Sequence, residues 1–179
     1  SHVNVSLPDG KPLLTGLSCT IEEGERVILK GPSGSGKSTL LRLLAGLWPY
    51  GEGEIHLPSS QNSLFIPQKP YMPIGILKEA ALYPRGEGKE EELKKLMETC
   101  GLASWAAHLE DEGDWSHILS LGEQQKLAFV RIFITRPRWV FLDEATSAMD
   151  EETENRLYRL LSSLPGITLI SVGHRSTLD

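Results

Sequence analysis

Cysteine is scarce in this chain of 179 residues: Cys19 and Cys100 are its two, far apart and matching no metal-ligand spacing. They are expected to be buried, reduced residues of a cytosolic protein rather than a disulfide or metal framework. No basic run stands out, and the formal net charge is -6, which argues against a nucleic-acid footprint. The Lys94-Lys95 pair sits among glutamates and reads as a solvated helix face. No apolar stretch approaches the length that crosses a bilayer, and no signal-peptide pattern opens the chain. Internal repeats and low-complexity tracts are missing. Aromatic residues are absent from positions 1–30. What remains is ordinary for a globular protein, 40% hydrophobic and 23% charged, long enough for one domain with a real core. The last motif lies almost at the C-terminus, so the chain reads as a piece of a longer polypeptide.

Glycine, by contrast, is concentrated where it matters. The octapeptide Gly31-Pro32-Ser33-Gly34-Ser35-Gly36-Lys37-Ser38 follows a strand-like run, Arg26 to Lys30, and opens a helix-like run, Lys37 to Gly46. That is a phosphate-binding P-loop in its required context. Its glycines let successive N–H groups point into one concavity, an anion nest. The following helix adds its positive N-terminal end. Lys37 reaches toward terminal phosphates, the Ser38 hydroxyl suits Mg²⁺, and Thr39 follows on the first helical turn.

The rest of the chain alternates strands and helices, an α/β layered pattern. Strands are expected near residues 3–7, 17–21 and 26–30, with turns at Pro8-Asp9-Gly10 and residues 22–25. Further strands are expected at 53–57, 63–66, 139–142 and 167–172. Residues 67–75 hold three prolines and a glycine and read as a rigid loop. Helices are expected near 75–81, 89–100, 121–135 and 151–163, the last capped by Asp150. Residues 101–118 read as irregular, and about 70–125 as a helical lobe inserted into the core. The 121–135 helix is apolar nearly all round at its end and should lie between layers.

A carboxylate at the end of a buried strand is where α/β folds place ligand groups. Val140-Phe141-Leu142-Asp143-Glu144 supplies two. Asp143 suits the metal shell, and Glu144, leaving the strand, suits orienting or deprotonating an attacking water. Leu119-Ser120-Leu121-Gly122-Glu123-Gln124-Gln125 opens the 121–135 helix. Ser120 and Glu123 form a capping box; the same hydroxyl and helix N-terminus also make a second anion site.

These residues carry a family resemblance. The Ser120 segment resembles the signature motif of ABC-type ATPases, usually Leu-Ser-Gly-Gly-Gln, at Leu119, Ser120 and Gly122. It departs at Leu121 and Glu123, where glycine and glutamine are usual. Gln68, in Ile66-Pro67-Gln68-Lys69-Pro70-Tyr71, resembles the Q-loop glutamine. Residues 147–150 resemble the D-loop, and His174 resembles the switch histidine. The segments 47–53, 67–75 and 114–116 resemble one subgroup, bacterial fused half-transporters similar to peroxisomal fatty-acyl, SbmA/BacA-like and vitamin B12 transporters. The departures in the signature motif are then habits of that subgroup.

The resemblance implies a P-loop NTPase core with an inserted helical subdomain and an N-terminal β-rich subdomain. It implies residues 1–179 as one ATP-binding domain, with a transmembrane domain upstream in the same polypeptide and the whole at the cytoplasmic face of the inner membrane. It implies ATP and Mg²⁺ as cofactors, held by Gly31 to Thr39, Gln68, Ser120, Gly122 and Glu123, with Ser38, Gln68 and Asp143 on the metal. Lys37, Glu144 and His174 take the catalytic roles. The partner is a second copy or second ABC domain, head to tail, so that the Ser120 segment meets the partner's nucleotide; nucleic acid is not a partner. The alternative is a soluble ABC ATPase acting on ribosomes or in assembly. Family members often stack adenine on an aromatic residue before the P-loop; Leu7 stands at that position here.

Overall fold

The computed structural model describes residues 2–57, 59, 62–84 and 87–173. Two compact units share the chain. The first runs up to Phe65 and takes in Pro137–Glu144 and the segment from Gly166; the second comprises Ile66–Arg136 and Ala145–Pro165.

The first unit carries the P-loop. Strands β1 (Val3–Ser6), β2 (Pro12–Leu17) and β4 (Gly51–Glu52) form an antiparallel sheet in the order β2-β1-β4. Strands β3 (Arg26–Leu29), β9 (Thr168–Val172), β8 (Trp139–Asp143) and β5 (Ser63–Ile66) form a second sheet in that order. In it β3 and β8 both run parallel to β9. The apolar runs of β8 and β9 are buried, as expected of parallel strands covered on both faces. Helix α1 (Lys37–Leu44) lays Leu41 against Phe141, Ile170 and Val172 on that sheet. Leu43 on the same helix joins Val3 and Val5 of the antiparallel sheet. One helix thus anchors the P-loop to two hydrophobic clusters.

Two strands differ from expectation. The second strand lies at Pro12–Leu17, not 17–21. The hairpin is tight, with Leu7 N–H donating to Lys11 O at 2.8 Å, so pairing with β1 begins directly after it. β2 is an edge strand, where a leading proline is tolerated. Residues 53–57, expected as a strand, form none; a two-residue strand lies just before them at Gly51–Glu52. Its antiparallel register pairs Glu52 with Asn4 and Gly51 with Val5, so Gly53 falls opposite Val3 and the residues after it run off the start of β1. Cys19 is also a correction: it is exposed, beside a cavity of about 820 Å³ walled by Leu17, Ile21, Leu43 and Phe141. Cys100 is buried as expected, and desolvation pushes its thiol up to about 12.

The second unit is mainly helical: α2 (Leu77–Leu82), α3 (Glu90–Thr99), α4 (Trp115–Ile118), α5 (Leu121–Thr135) and α6 (Glu151–Ser163). The stretch expected to be irregular is ordered. It holds a 3₁₀ turn at Ala103–His108, strand β7 (Glu112–Asp114) and α4. β7 pairs antiparallel with β6 (Ile74–Ile76), so the end of the proline-rich loop is a strand. These elements are too short to show a period. Helix α5 is buried almost throughout. Phe129 packs on Tyr158 of α6 with ring centroids 6.2 Å apart. Arg131, also buried, donates through Nε and Nη2 to Ala80 O at 3.1 and 2.7 Å, and its guanidinium lies 5.5 Å from the Tyr83 ring centre. Desolvation lowers its pKa to about 10, and it stays charged at neutral pH.

Candidate nucleotide-binding site

The P-loop joins β3 to α1, and Gly36 at the helix N-cap sits at φ 87, a left-handed conformation that favours glycine. A Cβ there would also stand 2.9 Å from the Leu13 side chain, which would have to shift to admit it. Lys37 curls back over the loop. Its Nζ donates to Gly31 O at 2.8 Å and Pro32 O at 2.7 Å. The ammonium is therefore held against the loop that carries the main-chain nest.

Ser38 and Asp143 meet. The Ser38 hydroxyl donates to Asp143 Oδ1 at 2.6 Å, and Arg42 Nη2 lies 3.4 Å from Oδ2. Asp143 is 4% exposed, the last residue of β8, so a buried carboxylate is satisfied by one hydroxyl and one guanidinium. Hydroxyl plus carboxylate is an all-oxygen donor set, which suits a small hard cation such as Mg²⁺. Glu144 follows at φ 51, a left-handed backbone uncommon for a side-chain-bearing residue. Its N–H donates to Val172 O at 3.0 Å, holding the turn to the end of β9. Such strained positions gather at functional sites. His174 lies outside the described residues.

The second unit holds the Ser120 segment. Ser120 is the N-cap of α5 in a complete capping box: its Oγ accepts from Glu123 N–H at 3.3 Å, and its own N–H donates to Glu123 Oε2 at 2.9 Å. The Ser120 hydroxyl also donates to Oε2 at 2.9 Å. Trp105 Nε1 donates to the other carboxylate oxygen, Oε1, at 2.8 Å. Burial works to raise the Glu123 pKa, but the bonds from Trp105 and Ser120 outweigh it, and the carboxyl is held below its ordinary value. Gly122 is required for close approach, because a Cβ there would fall 2.8 Å from Ala148 O. Gln68 Nε2 donates to Ser147 Oγ at 3.3 Å. Sequence reasoning missed Gln125, whose buried amide ties these segments together and carries no signal in the sequence beyond its place just past a recognised motif.

A P-loop at a parallel sheet, with a strand-end carboxylate bonded to its serine, defines a nucleoside-triphosphate-binding protein. The ABC transporter family model matches residues 14–147. The sequence is 46% identical over 180 residues to an uncharacterized ABC transporter ATP-binding protein of Haemophilus influenzae, covering 99% of this chain and 30% of that one. It is 39% identical over 194 residues to the lysosomal cobalamin transporter ABCD4 of Homo sapiens, covering 99% and 32%. The fold matches a bacterial Atm1-family ABC exporter solved with ATP bound, with a TM-score of 0.85, 28% identity, and coverage of 99% of this chain and 34% of that one. The chain belongs to the ABC transporter family, as an ATP-binding domain. Relatives of the D-type and cobalamin group bear out the resemblance read from residues 47–53, 67–75 and 114–116. The chain spans about a third of the length of the curated relatives it matches.

Proposed function

We propose that this domain powers transport by a fused half-transporter, with a membrane domain upstream in the same polypeptide and the ATPase at the cytoplasmic face of the inner membrane. The relatives support this reading: they are named as transporters or their ATP-binding proteins, and each is about three times as long as the stretch matched. Among the described residues no helix is long and apolar enough to cross a membrane, so the membrane part would lie elsewhere in such a protein. Residues 1–179 form one ATP-binding domain in this reading, with the helical subdomain at about 70–125.

The observation that carries the chemistry is the Ser38–Asp143 hydrogen bond of 2.6 Å. Those two oxygens would hold Mg²⁺, and the family pattern adds Gln68 as a third ligand. The bound cation would supply charge neutralisation on the phosphates. Gly31 to Thr39 cradle the phosphate chain through main-chain N–H groups, and Lys37 leaves its carbonyl partners to pair with the terminal phosphates. Glu144 orients the attacking water and takes its proton on the carboxylate. His174 steadies the terminal phosphate by family resemblance. Ser120 and Gly122 present a second anion site at the start of α5 to a nucleotide on a partner copy, arranged head to tail, once the Ser120 hydroxyl turns from the Glu123 carboxylate that it bonds here. Catalysis is then mainly positioning and charge stabilisation.

Lys37→Ala tests this. Losing one charge-assisted bond worth about 1.5–3 kcal/mol should weaken ATP binding by roughly tenfold to a hundredfold. Phosphate release should fall with it. Unchanged nucleotide affinity and turnover in that variant would sink the assignment.

A further inference from the structure

We infer that Gln125 is a positioning residue for hydrolysis: its amide fixes Gln68 and the Ser147–Ala148 turn to the helix that begins at Ser120. The inference rests on the hydrolytic reading above and deepens it. Gln125 stands on α5 and is 0% exposed. Its Nε2 donates to the main-chain oxygen of Gln68 at 2.8 Å and to Ser147 Oγ at 3.1 Å. Its Oε1 accepts from Ala148 N–H at 3.0 Å. The partners dictate which end is which, because a main-chain N–H only donates and a main-chain oxygen only accepts.

A buried amide must satisfy both ends or destabilise the fold. Gln125 satisfies both on two segments that the motif pattern assigns to separate tasks. The arrangement is closed by a further bond, since Gln68 Nε2 also donates to Ser147 Oγ, at 3.3 Å. A second point of attachment lies one turn earlier on the same face of α5. There the missing side chain of Gly122 lets Ala148 O approach to where a Cβ would stand only 2.8 Å away. Two points one turn apart fix both position and direction. A shift of the Ser120-bearing helix is therefore transmitted to the main chain of Gln68 and to the hydroxyl that holds its side chain. Gln125 acts through those residues and touches no reacting atom.

Gln125→Met keeps the volume and removes all three hydrogen bonds, and it is to be made in the full-length protein beside the wild type. The expected result is a kcat about tenfold to a hundredfold lower, the range for lost supporting contacts, with KM for ATP and equilibrium ATP affinity within about twofold of wild type. Hydrogen exchange should quicken at Ala148 and in residues 66–72. Ser147→Ala, at an exposed position, should give a smaller fall in kcat at an unchanged melting temperature, because the bonds from Gln125 to Gln68 and Ala148 survive. Wild-type kcat in a folded Q125M, or kcat and ATP affinity falling together with the melting temperature, would overturn the inference. If Q125M does not fold, S147A decides: wild-type kcat there overturns it. A wild type without Lys37-dependent phosphate release removes the hydrolytic reading instead, and the exchange measurement still reports whether Gln125 holds the turn.

Discussion

Ser38 Oγ donates to Asp143 Oδ1 at 2.6 Å, joining residues 105 positions apart. Their elements, α1 and β8, pack through Leu41 and Phe141 in one hydrophobic cluster, so the pair is set by the core beneath it. Burial leaves the carboxylate dependent on a few fixed partners rather than water.

Asp143→Asn should therefore separate nucleotide binding from metal use. The amide retains an acceptor for Ser38 but loses the charge that a cation needs. Turnover at fixed ATP should require about tenfold to a hundredfold more Mg²⁺, while ATP binding measured with EDTA stays near wild type. An unaltered Mg²⁺ titration would remove Asp143 from the metal.

Glu144→Gln keeps the side-chain size and abolishes proton acceptance. Loss of a positioned base costs about 10²–10⁴-fold in rate. The measurement is phosphate release per site beside equilibrium ATP binding, with binding expected unchanged. Sizing the full-length protein with ATP should show a longer-lived closed pair in this variant. Full turnover would assign water activation to another group.

Acid should destabilise the second unit. Ser116, then His117, hold the Asp114 carboxyl below its ordinary value; the Thr153 N–H, then its hydroxyl, do the same for Asp150; Glu123 is lowered as described. Each folded pKa lies below the unfolded one, so the unfolded chain binds more protons on the way down. The stabilisation is complete above the ordinary carboxylate values of about 4. It is lost as pH falls through the lower folded values. The melting temperature should hold between about pH 6 and 5 and then decline below about 4.5. Asp150→Asn, which keeps an acceptor for Thr153 but cannot titrate, should make that decline shallower. A melting temperature that is flat to pH 3 counts against these bonds.

Much of this molecule was legible in one sequence because its signals are local. The P-loop, the buried strand ending in Asp143 and the capping box at Ser120 each declare themselves within a few residues. Helix α5 and helix α6 with its Asp150 cap were legible for the same reason. What was misread depends on partners distant in sequence. The placing of β2 follows from a hairpin that pairs at once with β1, and β6 exists only because Glu112–Asp114 comes to lie beside it. Residues 17–21 have strand composition, but composition does not say that Cys19 borders a cavity instead of filling a core. Gln125 was invisible because an amide beside a known motif looks like surface until its three partners are assembled.

The two cysteine thiols differ sharply in environment, one open to solvent and the other sealed with its proton held to about pH 12. A maleimide dye or nitroxide offered at neutral pH should attach within this chain at position 19 and leave position 100 untouched. That places a single reporter on the P-loop-bearing unit with no substitution in this chain, so distance spectroscopy between labelled copies can test the head-to-tail pairing proposed above.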